Sequence, residues 1–368
     1  MSAADLRARL RALLMELMLI PGLSGHEDRV RRRLAREMAA LGLTTRTDRL
    51  GNLIATAAGD AARPSVMLFA HMDQLGLIVR KIEPDGFVRV ERLGGVPERA
   101  LASQQVLFCI GEGRDLPGVI ANKSHHATGA DEKYRVVPYG ELYIDAGFAN
   151  AAQARAAGIE IGAPIVYAPK AIALAGERIA GTAIDDRAGC AVLVEAARAL
   201  ARRSDRPTTH FVFSVQEEFN LRGALAAAQA LQPDIAIQLD LMLAADTPDM
   251  AASGEVALGG GPAMSLYSFH GRGTLNGTLP HPALVKLFER CAQAEGLGLQ
   301  RSAQVGVLTD SSYVQLVGQG VAAIDVGFPC RYTHSSLEVC DLSDLAGLTQ
   351  LLIAAVRGVD RDFPLNRD

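Results

Sequence analysis

Apolar residues recur at helical spacing in the first part of the chain. From about His26 onward, Val30, Leu34, Met38 and Leu41 fall on one face of a predicted amphipathic helix. An earlier segment with the same kind of spacing predicts another helix before it. The chain therefore opens with helices that each bury one face against a common core.

Strand patterns follow, and their character changes along the chain. Residues 65–70 form a continuous apolar run, which is typical of a strand buried on both faces of a sheet. From about residue 76 to 169, short β-like runs alternate with Gly and Pro turns. Beyond residue 181, helix and strand patterns alternate again. The predicted elements there are helices at 187–202, 222–230 and 344–356 and strands at 210–215, 235–239 and 320–326.

This order of patterns predicts an α/β fold with a mixed β-sheet sandwiched by helices. The two ends of the chain, residues 1–72 and 176–368, form the main domain. Residues 73–175 form a β-rich insertion, which we expect to be a small barrel. An insertion of this length has room for a core of its own.

Composition and charge exclude several classes of protein. The formal net charge is −4 and the basic residues are spread along the chain, so no nucleic-acid partner is expected. Charged residues interrupt the N-terminal helical segment, which argues against a signal peptide or a membrane span. We therefore expect a cytoplasmic protein without a membrane partner. The five cysteines contain no CxxC pair, which argues against a thiolate zinc site.

Candidate metal-binding side chains lie just beyond the predicted strands. In open α/β sheets, functional sites gather at the carboxyl ends of the strands. Imidazoles and carboxylates together suit zinc, manganese or cobalt, and a carboxylate between two ions can bridge them. The candidates are His71, Asp73, Asp185, Asp186, Glu217, Glu218, Asp240 and His334.

Two of these motifs have a spacing with a chemical meaning. Residues two apart on a strand point the same way, so Asp73 can hold the imidazole of His71 from behind. The adjacent carboxylates of Glu217 and Glu218 would repel each other unless a cation or a proton lay between them. One of the pair can bind metal while the other handles protons.

Two further motifs allow more than one interpretation. Asp310 precedes a helical pattern and is either a helix N-cap or part of a substrate pocket. The pair His125-His126 lies in the insertion and is either a surface group or a contribution to the active site of a neighbouring subunit.

Six ordered stretches resemble the two-metal aminopeptidases, a family that includes glutamyl aminopeptidase, deblocking aminopeptidases and the tetrahedral (TET) peptidases. Relatives in this family have at times been labelled cellulases or endoglucanases. The resemblance covers nearly the whole chain. The stretches are 21–27 (PGLSGHE), 70–73 (AHMD), 183–189 (AIDDRAG), 216–218 (QEE), 239–240 (LD) and 331–335 (RYTHS).

The resemblance implies a role for each of the main candidates. One metal would be held by His71 and Asp240, the other by Glu218 and His334, and Asp185 would bridge the two. Glu217 matches the general base, and Asp73 is expected to assist catalysis by orienting His71. The resemblance also implies that the peptide bond between Asp185 and Asp186 is cis.

Cofactor, partner and assembly are further expectations from the resemblance. The chain is expected to bind two divalent ions per subunit, with zinc as the default and cobalt or manganese as alternatives. Its substrates would be peptides cleaved at the N-terminal residue. The β-rich insertion, PDZ-like in this family, would serve dimerisation in an even-numbered homo-oligomer, up to a tetrahedral dodecamer.

Three departures from the family pattern leave alternatives open. Gln74, Phe219 and Asn220 replace residues common in the family, which puts the shape of the pocket in doubt. A glycoside hydrolase would also use paired carboxylates, although it leaves both histidines unexplained. A metal-binding homologue without turnover is the other alternative. The preferred N-terminal residue stays open.

Overall fold

The fold consists of a helix-covered sheet and a separate barrel. The computed structural model describes residues 3–271 and 274–367. The strands are β1 (Thr45–Thr47), β2 (Leu53–Ala57), β3 (Val66–His71), β4 (Gly76–Ile82), β5 (Val88–Leu93), β6 (Gln105–Phe108), β7 (Leu116–Ile120), β8 (Ile144–Asp145), β9 (Pro164–Tyr167), β10 (Ala171–Ala173), β11 (Arg178–Gly181), β12 (Thr209–Ser214), β13 (Ile235–Leu243), β14 (Ala263–Phe269), β15 (Gly277–Thr278), β16 (Gln300–Val305), β17 (Ala322–Cys330) and β18 (Glu338–Asp341). The helices are α1 (Ala3–Met18), α2 (Asp28–Ala40), α3 (Ala151–Ala156), α4 (Ile184–Leu200), α5 (Gly223–Leu231), α6 (Pro282–Glu295), α7 (Ser311–Val314) and α8 (Leu342–Gly358).

The main sheet is mixed, with parallel strands at its centre. Eight of its strands run in the order β1-β2-β12-β3-β13-β17-β14-β15, and β16 pairs with β14. The pairs β12–β3, β3–β13 and β13–β17 are parallel, whereas β2 and β14 join the centre in antiparallel pairs. The carboxyl ends of four central strands therefore meet at one edge.

Helices cover both faces of this sheet, which explains the continuous apolar run in its central strands. On one face, Leu68 and Ile237 pack in a large core with α1, α2, α4, α6 and α8. On the other face, Phe69 and Ala236 pack with α5 and α7. Neighbouring residues of one strand thus face two different apolar layers.

Local sequence signals account for the ends of several helices. In α6, the His281 side chain accepts a hydrogen bond from Ala283 N, Pro282 fills the first position, and Gly296 ends the helix at φ +66°. The Asp341 side chain caps α8 by accepting from Ser343 N. These caps satisfy backbone groups that a helix end leaves without intrahelical partners.

The insertion closes into a six-stranded barrel. Its strands follow the order β4-β5-β8-β7-β6-β9 around the barrel. Val79, Val90, Phe108 and Ile144 belong to an apolar core that is separate from those of the main sheet. A closed barrel leaves no unpaired sheet edge, so a short β-rich segment can be stable at the surface of a larger domain.

The predicted fold class is confirmed: a mixed sheet lies between helices and carries an inserted barrel. The domain boundaries near residues 73 and 175 stay a prediction. The predicted strands and helices shift by a few residues at their ends. The segment from Ala263 to Val305, with β14, α6 and β16, was not predicted. No helix in the described parts of the chain is long and apolar enough to span a membrane.

Candidate metal centre

The candidate ligands meet at the carboxyl edge of the sheet. His71 ends β3, and Glu217 and Glu218 follow β12. Asp240 lies within β13, which continues to Leu243, and not beyond the strand as predicted. β12 and β3 are paired in parallel so that Ser214 is the partner of His71. Three chain segments far apart in sequence thus deliver their side chains to one place, as the sequence predicted.

One face of the sheet changes from apolar to polar toward this edge. Phe69, Ala236 and Ala323 belong to the apolar layer under α5 and α7. Two residues further along the strands come His71, Gln238 and Asp325, all at most 1% exposed. Ser214 and Asp240 also belong to this polar layer. The layer gives the site a set of polar groups held by well-packed strands.

Asp185 lies between the two histidines. Its Oδ1 atom is 3.0 Å from His71 Nε2, and its Oδ2 atom is 3.6 Å from His334 Nε2. Candidate ligand atoms of His71, Asp185 and Asp240 lie within 4.8 Å of one another, and so do those of Asp185, Glu218 and His334. Asp185 therefore belongs to both groups of three donors, with Oδ1 facing His71 and Oδ2 facing His334.

Glu217 is also close to the cluster. One of its oxygens lies within the same range of His71 and Glu218. Burial raises the pKa of Glu217 well above its ordinary value, because its carboxylate is removed from water among other acids such as Asp240. Proximity alone therefore assigns Glu217 to the centre without distinguishing a ligand from a proton acceptor.

The cluster is rich in acidic groups. Burial and then the charge of Asp185 raise the pKa of Asp240 well above its usual range. Burial raises the pKa of Glu218 to about 7, with Asp185 contributing. Four carboxyl groups surround two imidazoles here, a set of oxygen and nitrogen donors that suits divalent cations.

The Asp73 carboxylate holds the Glu217-Glu218 backbone. Its Oδ1 accepts from Glu217 N at 3.0 Å, its Oδ2 accepts from Glu218 N at 3.1 Å, and Ser24 Oγ donates at 2.5 Å. The same carboxylate lies 3.5 Å from His71 Nδ1, which hydrogen-bonds the Asp73 carbonyl oxygen at 3.2 Å. Asp73 thus orients both the imidazole and the two glutamates, which is more than its spacing from His71 predicted.

Glu338 is a residue of the site that the sequence did not reveal. It is buried, and its Oε2 accepts from Asp185 N at 3.0 Å while its Oε1 accepts from His334 N at 2.8 Å. Burial raises its pKa to about 8. A lone Glu at a strand start carries no motif, so only its burial beside two candidate ligands identifies its role.

Left-handed backbone conformations cluster in the loops that carry the candidate ligands. Ala183 precedes Asp185 at φ +58°, Gln216 precedes Glu217 at φ +56°, and His334 itself has φ +64°. Non-glycine residues adopt such conformations only where the surrounding structure holds them. The peptide bond between Asp185 and Asp186 is cis, as expected from the resemblance.

The inserted barrel contacts the site through Gly94 and Gly95. His334 Nδ1 hydrogen-bonds the Gly95 carbonyl oxygen at 3.0 Å, which fixes the orientation of the ring. A Cβ atom at Gly95 would lie 2.8 Å from His334 Nδ1, and one at Gly94 would lie 3.5 Å from the Glu218 Cβ. Glycine is thus needed at position 95, where the insertion meets His334, whereas at position 94 it is the backbone φ of +87° that favours glycine.

Asp310 does not cap its helix. It occupies the N-cap position of α7 without a capping hydrogen bond from its side chain. Its Oδ2 instead accepts from Ser214 Oγ at 3.2 Å, beneath the strand ends. Burial raises its pKa to about 7, and Asp73 and Asp325 contribute. Asp310 therefore lies at the N-cap position, one of the two predicted alternatives, but its side chain accepts a hydrogen bond from Ser214 instead of capping the helix.

The other uncertain positions lie outside the ligand cluster. His125 and His126 are exposed on the barrel, and their contact with another subunit stays a prediction. Gln74 Oε1 accepts from Gly22 N at 3.2 Å and from the buried Arg187 at 3.4 Å. Phe219 is 44% exposed. None of the departures from the family pattern replaces a candidate ligand.

Comparison with known proteins assigns the family. The profile of the M42 glutamyl aminopeptidase family matches residues 51–351. The chain belongs to this family. It therefore has the fold and the peptidase activity of an M42 aminopeptidase, which confirms the resemblance carried by the six sequence stretches.

Individual relatives cover nearly the whole chain. A protein of Escherichia coli strain K12 named as aminopeptidase SgcX is 35% identical over 96% of this chain and 95% of its own. An aminopeptidase structure from the archaeon Desulfurococcus kamchatkensis superposes with a TM-score of 0.90, 32% identity and 97% coverage of both chains. The TET1 peptidase of Pyrococcus horikoshii, which can assemble into a tetrahedron or an octahedral shell, gives a TM-score of 0.84, 27% identity and coverage of 94% and 99%.

Proposed function

We propose that this protein is a dinuclear metal-dependent aminopeptidase. The observation that carries the proposal is the position of Asp185, whose two oxygens face two different imidazoles at 3.0 and 3.6 Å. A carboxylate in this position suits two adjacent cations. The proposed ligands are His71 and Asp240 for one ion, Glu218 and His334 for the other, and Asp185 for both.

The donor set fits divalent ions of the zinc type. In each group of three, nitrogen and carboxylate oxygen donors lie within 4.8 Å of one another. The buried carboxylates outnumber the imidazoles, which favours the binding of divalent cations. Zinc is our default, with cobalt and manganese as alternatives. When bound, such ions would polarise the scissile carbonyl and lower the pKa of the attacking water.

Glu217 would act as the general base. Its carboxylate would accept a proton from the attacking water and pass it to the nitrogen of the leaving amine. Asp73 supports this role because it accepts a hydrogen bond from the backbone amide of Glu217. This bond holds the backbone from which the Glu217 side chain extends.

The remaining polar contacts would position the ligands. Gln238 donates to Asp240 Oδ2 at 3.1 Å, and Leu241 N donates to Asp240 Oδ1 at 2.7 Å. Thr333 Oγ1 donates to Asp185 Oδ2 at 3.2 Å. Each contact limits the rotation of a carboxylate, and metal sites depend on such support.

We also propose a homo-oligomer built from dimers, up to a tetrahedral dodecamer, with the barrel as the dimerisation domain. The support is the similarity to the TET1 peptidase, which can assemble into a tetrahedron. Mass measurement in solution tests this proposal. A monomer at micromolar concentration would contradict it.

Metal analysis with peptidase assays tests the proposed function. We expect about two divalent ions per chain and hydrolysis of leucyl or glutamyl anilides that stops on chelation and returns with zinc, cobalt or manganese. Full metal loading without turnover on any anilide would favour a binding homologue. Release of reducing sugar from soluble glucan would favour the glycosidase alternative, which assigns no role to His71 or His334.

Substitution of single ligands tests the metal assignment. His71→Ala and Asp185→Ala should lower metal content and activity together, because each removes a donor. Asp205→Ala is a suitable control, since that side chain is 43% exposed and its carboxylate pairs with the surface arginines Arg203 and Arg357. Full metal content in both ligand variants would refute the assignment.

A further inference from the structure

The first of the six sequence stretches, residues 21–27, supplies none of the proposed metal ligands. Two of its polar side chains are nevertheless buried, with Ser24 4% exposed and Glu27 3% exposed. Glutamate is rarely buried to this extent unless a partner compensates for its desolvation. The contacts of Glu27 therefore indicate what this stretch does for the site.

The Glu27 carboxylate joins its own loop to the loop that carries the two glutamates of the site. Its Oε1 accepts a hydrogen bond from Gly25 N at 2.7 Å and another from Gln216 N at 3.1 Å. Gln216 is 189 positions away in the sequence and lies just beyond β12. The second bond is thus a long-range contact made where the chain leaves the sheet toward Glu217.

Three consecutive backbone amides are held by two buried carboxylates. The amides of residues 216–218 donate in turn to Glu27 at 3.1 Å and to the two oxygens of Asp73 at 3.0 and 3.1 Å. Ser24 donates to the same Asp73 carboxylate, so the first sequence stretch supports both acceptors. Successive amides that converge in this way form a concave backbone surface that favours anionic partners. Glu217 lies in the middle of this set.

The backbone of Gln216 needs such a partner because it is left-handed, with φ +56°. A non-glycine residue in this region is strained and keeps its conformation only where the surrounding structure holds it. Rotation about this bond would move every atom that follows, and Glu217 is the next residue. The bond from the Gln216 amide to Glu27 therefore helps to set the direction in which the Glu217 side chain leaves the backbone.

A buried cation lies near both acceptors. Arg187 is fully buried. Burial lowers its pKa to about 10, and the charges of Asp73 and Glu27 act in the opposite direction. The guanidinium thus offsets part of the cost of burying two carboxylates. Glu27 is therefore part of a compensated network beneath the loop.

We propose that Glu27 is a positioning residue for the proposed general base. Its side chain holds the Gln216 amide and so sets where the Glu217 carboxylate lies relative to the attacking water. The inference rests on the proposed aminopeptidase function and deepens it. Glu27 does not contact the reacting atoms in this role, because its effect passes through the backbone of the loop.

Two conservative substitutions separate the reach of the side chain from its charge. Glu27→Gln keeps the length and an acceptor oxygen but removes the charge, and it should keep kcat close to that of the wild type. Glu27→Asp keeps the charge but is shorter, so its oxygen falls short of the Gln216 amide. For leucyl anilide we expect kcat of this variant to fall by about tenfold to a hundredfold, as for other small displacements of a catalytic group, with KM and metal content unchanged.

Glu195→Asp is the matched control. Glu195 is 1% exposed on α4, where it pairs with Arg9 at 2.8 Å and with Arg198 at 3.1 Å. Shortening this buried glutamate should lower Tm, because it weakens two ion pairs, while the folded protein keeps the wild-type kcat. Kinetics measured below the Tm of every variant therefore show what a structural role alone would do.

Hydrogen exchange followed by mass spectrometry adds a test that needs no substitution. In the wild type, peptides that contain the amides of residues 216–218 should exchange slowly although they lie in a loop, because hydrogen-bonded amides are protected. In Glu27→Asp the same peptides should exchange faster. Rapid exchange in the wild-type protein would contradict the proposed hold on this loop.

The kinetic outcomes distinguish this inference from the proposed function. A metal-loaded wild type that cleaves no anilide would overturn both. An active wild type together with an unchanged kcat in Glu27→Asp would overturn the role of Glu27 alone. An equal loss of kcat in Glu27→Gln and Glu27→Asp would also overturn it, and so would a loss of the same size in Glu195→Asp.

Discussion

At the residue scale, adjacent side chains of one motif have different surroundings. Glu217 and Glu218 both have amides bound by Asp73. Glu218 belongs both to the donor group with His334 and to the one with His71, whereas Glu217 belongs to the one with His71. The strand ends at Ser214, so the two glutamates lie in an irregular loop that points both carboxylates into the cluster. The two side chains have the same chemistry, so the backbone conformation of this loop decides which neighbours each carboxylate meets.

Glu217→Gln should abolish turnover and keep metal. The amide has nearly the same shape as the carboxylate but no longer accepts a proton at neutral pH, so we expect kcat to fall by about a hundredfold to ten-thousandfold. Elemental analysis and anilide kinetics check both parts. Loss of one equivalent of metal would show instead that Glu217 is a ligand.

Glu338 is expected to matter mainly for stability and the order of the site. Glu338→Ala would leave the amides of Asp185 and His334 buried without an acceptor, at a cost of about 2 kcal/mol or more in the free energy of unfolding. Glu338→Gln retains one acceptor and should lose less. Urea denaturation measures the difference, and equal stability of the two variants would contradict this role.

At the scale of elements, the barrel takes part in the metal centre. The loop after β5 brings the Gly95 carbonyl to His334 Nδ1, so the insertion orients a proposed ligand of the main domain. The insertion thus lies in sequence between the first proposed ligand, His71, and the proposed bridging residue, Asp185, and it also contacts a third proposed ligand, His334. A displacement of the barrel would therefore change the orientation of the His334 ring.

Gly95→Ala should weaken the site on the His334 side. The added Cβ would lie 2.8 Å from His334 Nδ1, so the ring must turn away from its place. We expect activity or metal affinity to fall by about tenfold to a hundredfold, as for other supports of metal ligands. Metal titration and kinetics measure both.

Gly140→Ala provides the matched control for that experiment. Gly140 also lies in the insertion, and a Cβ atom there meets nothing within 4 Å. The control should behave as wild type. Similar losses in both variants would indicate a general effect on the barrel rather than a specific contact with His334.

At the scale of the whole molecule, many buried acids are concentrated at one edge of the sheet. Burial raises the pKa of Glu27, Glu218 and Asp310 to about 7 and that of Glu338 to about 8. His334 differs because burial lowers its pKa, yet Glu218 and Asp185 raise it overall to about 9. Folding without bound cations therefore takes up protons.

This concentration of acids predicts how stability depends on pH. A raised folded pKa stabilises the fold fully below the unfolded pKa, which is about 4.5 for the glutamates, about 3.8 for Asp310 and about 6.5 for histidine. The gain is lost as pH rises through the folded value. After chelation, Tm should fall by about 5 °C or more between pH 5 and 9. With zinc the fall should be smaller, because cations replace the protons.

Thermal melts with chelator and with zinc at several pH values measure this dependence. The two series should converge near pH 5 and separate toward pH 9. A Tm of the chelated protein that stays constant or rises over this range would contradict the proton linkage. A zinc series with the same slope would contradict metal binding at the acid cluster.

Sequence patterns predicted the central elements because burial constrains them strongly. The apolar run of β3 and the helical face of α2 with Val30, Leu34 and Met38 follow directly from periodicity. Leu41, predicted for the same face, lies beyond the helix end and is only half-buried. The region from β14 to β16 was missed because the burial of residues in β14 and β16 does not follow a regular alternation.

The sequence by itself determined the ordered motifs, the fold class and the candidate ligands, because strand ends and donor types are local properties. Only the tertiary structure decided which side chains meet: Asp185 between two imidazoles, Glu338 beneath them, and Gly95 of the barrel against His334. Such contacts join segments far apart in the chain, and no pattern within one segment records them.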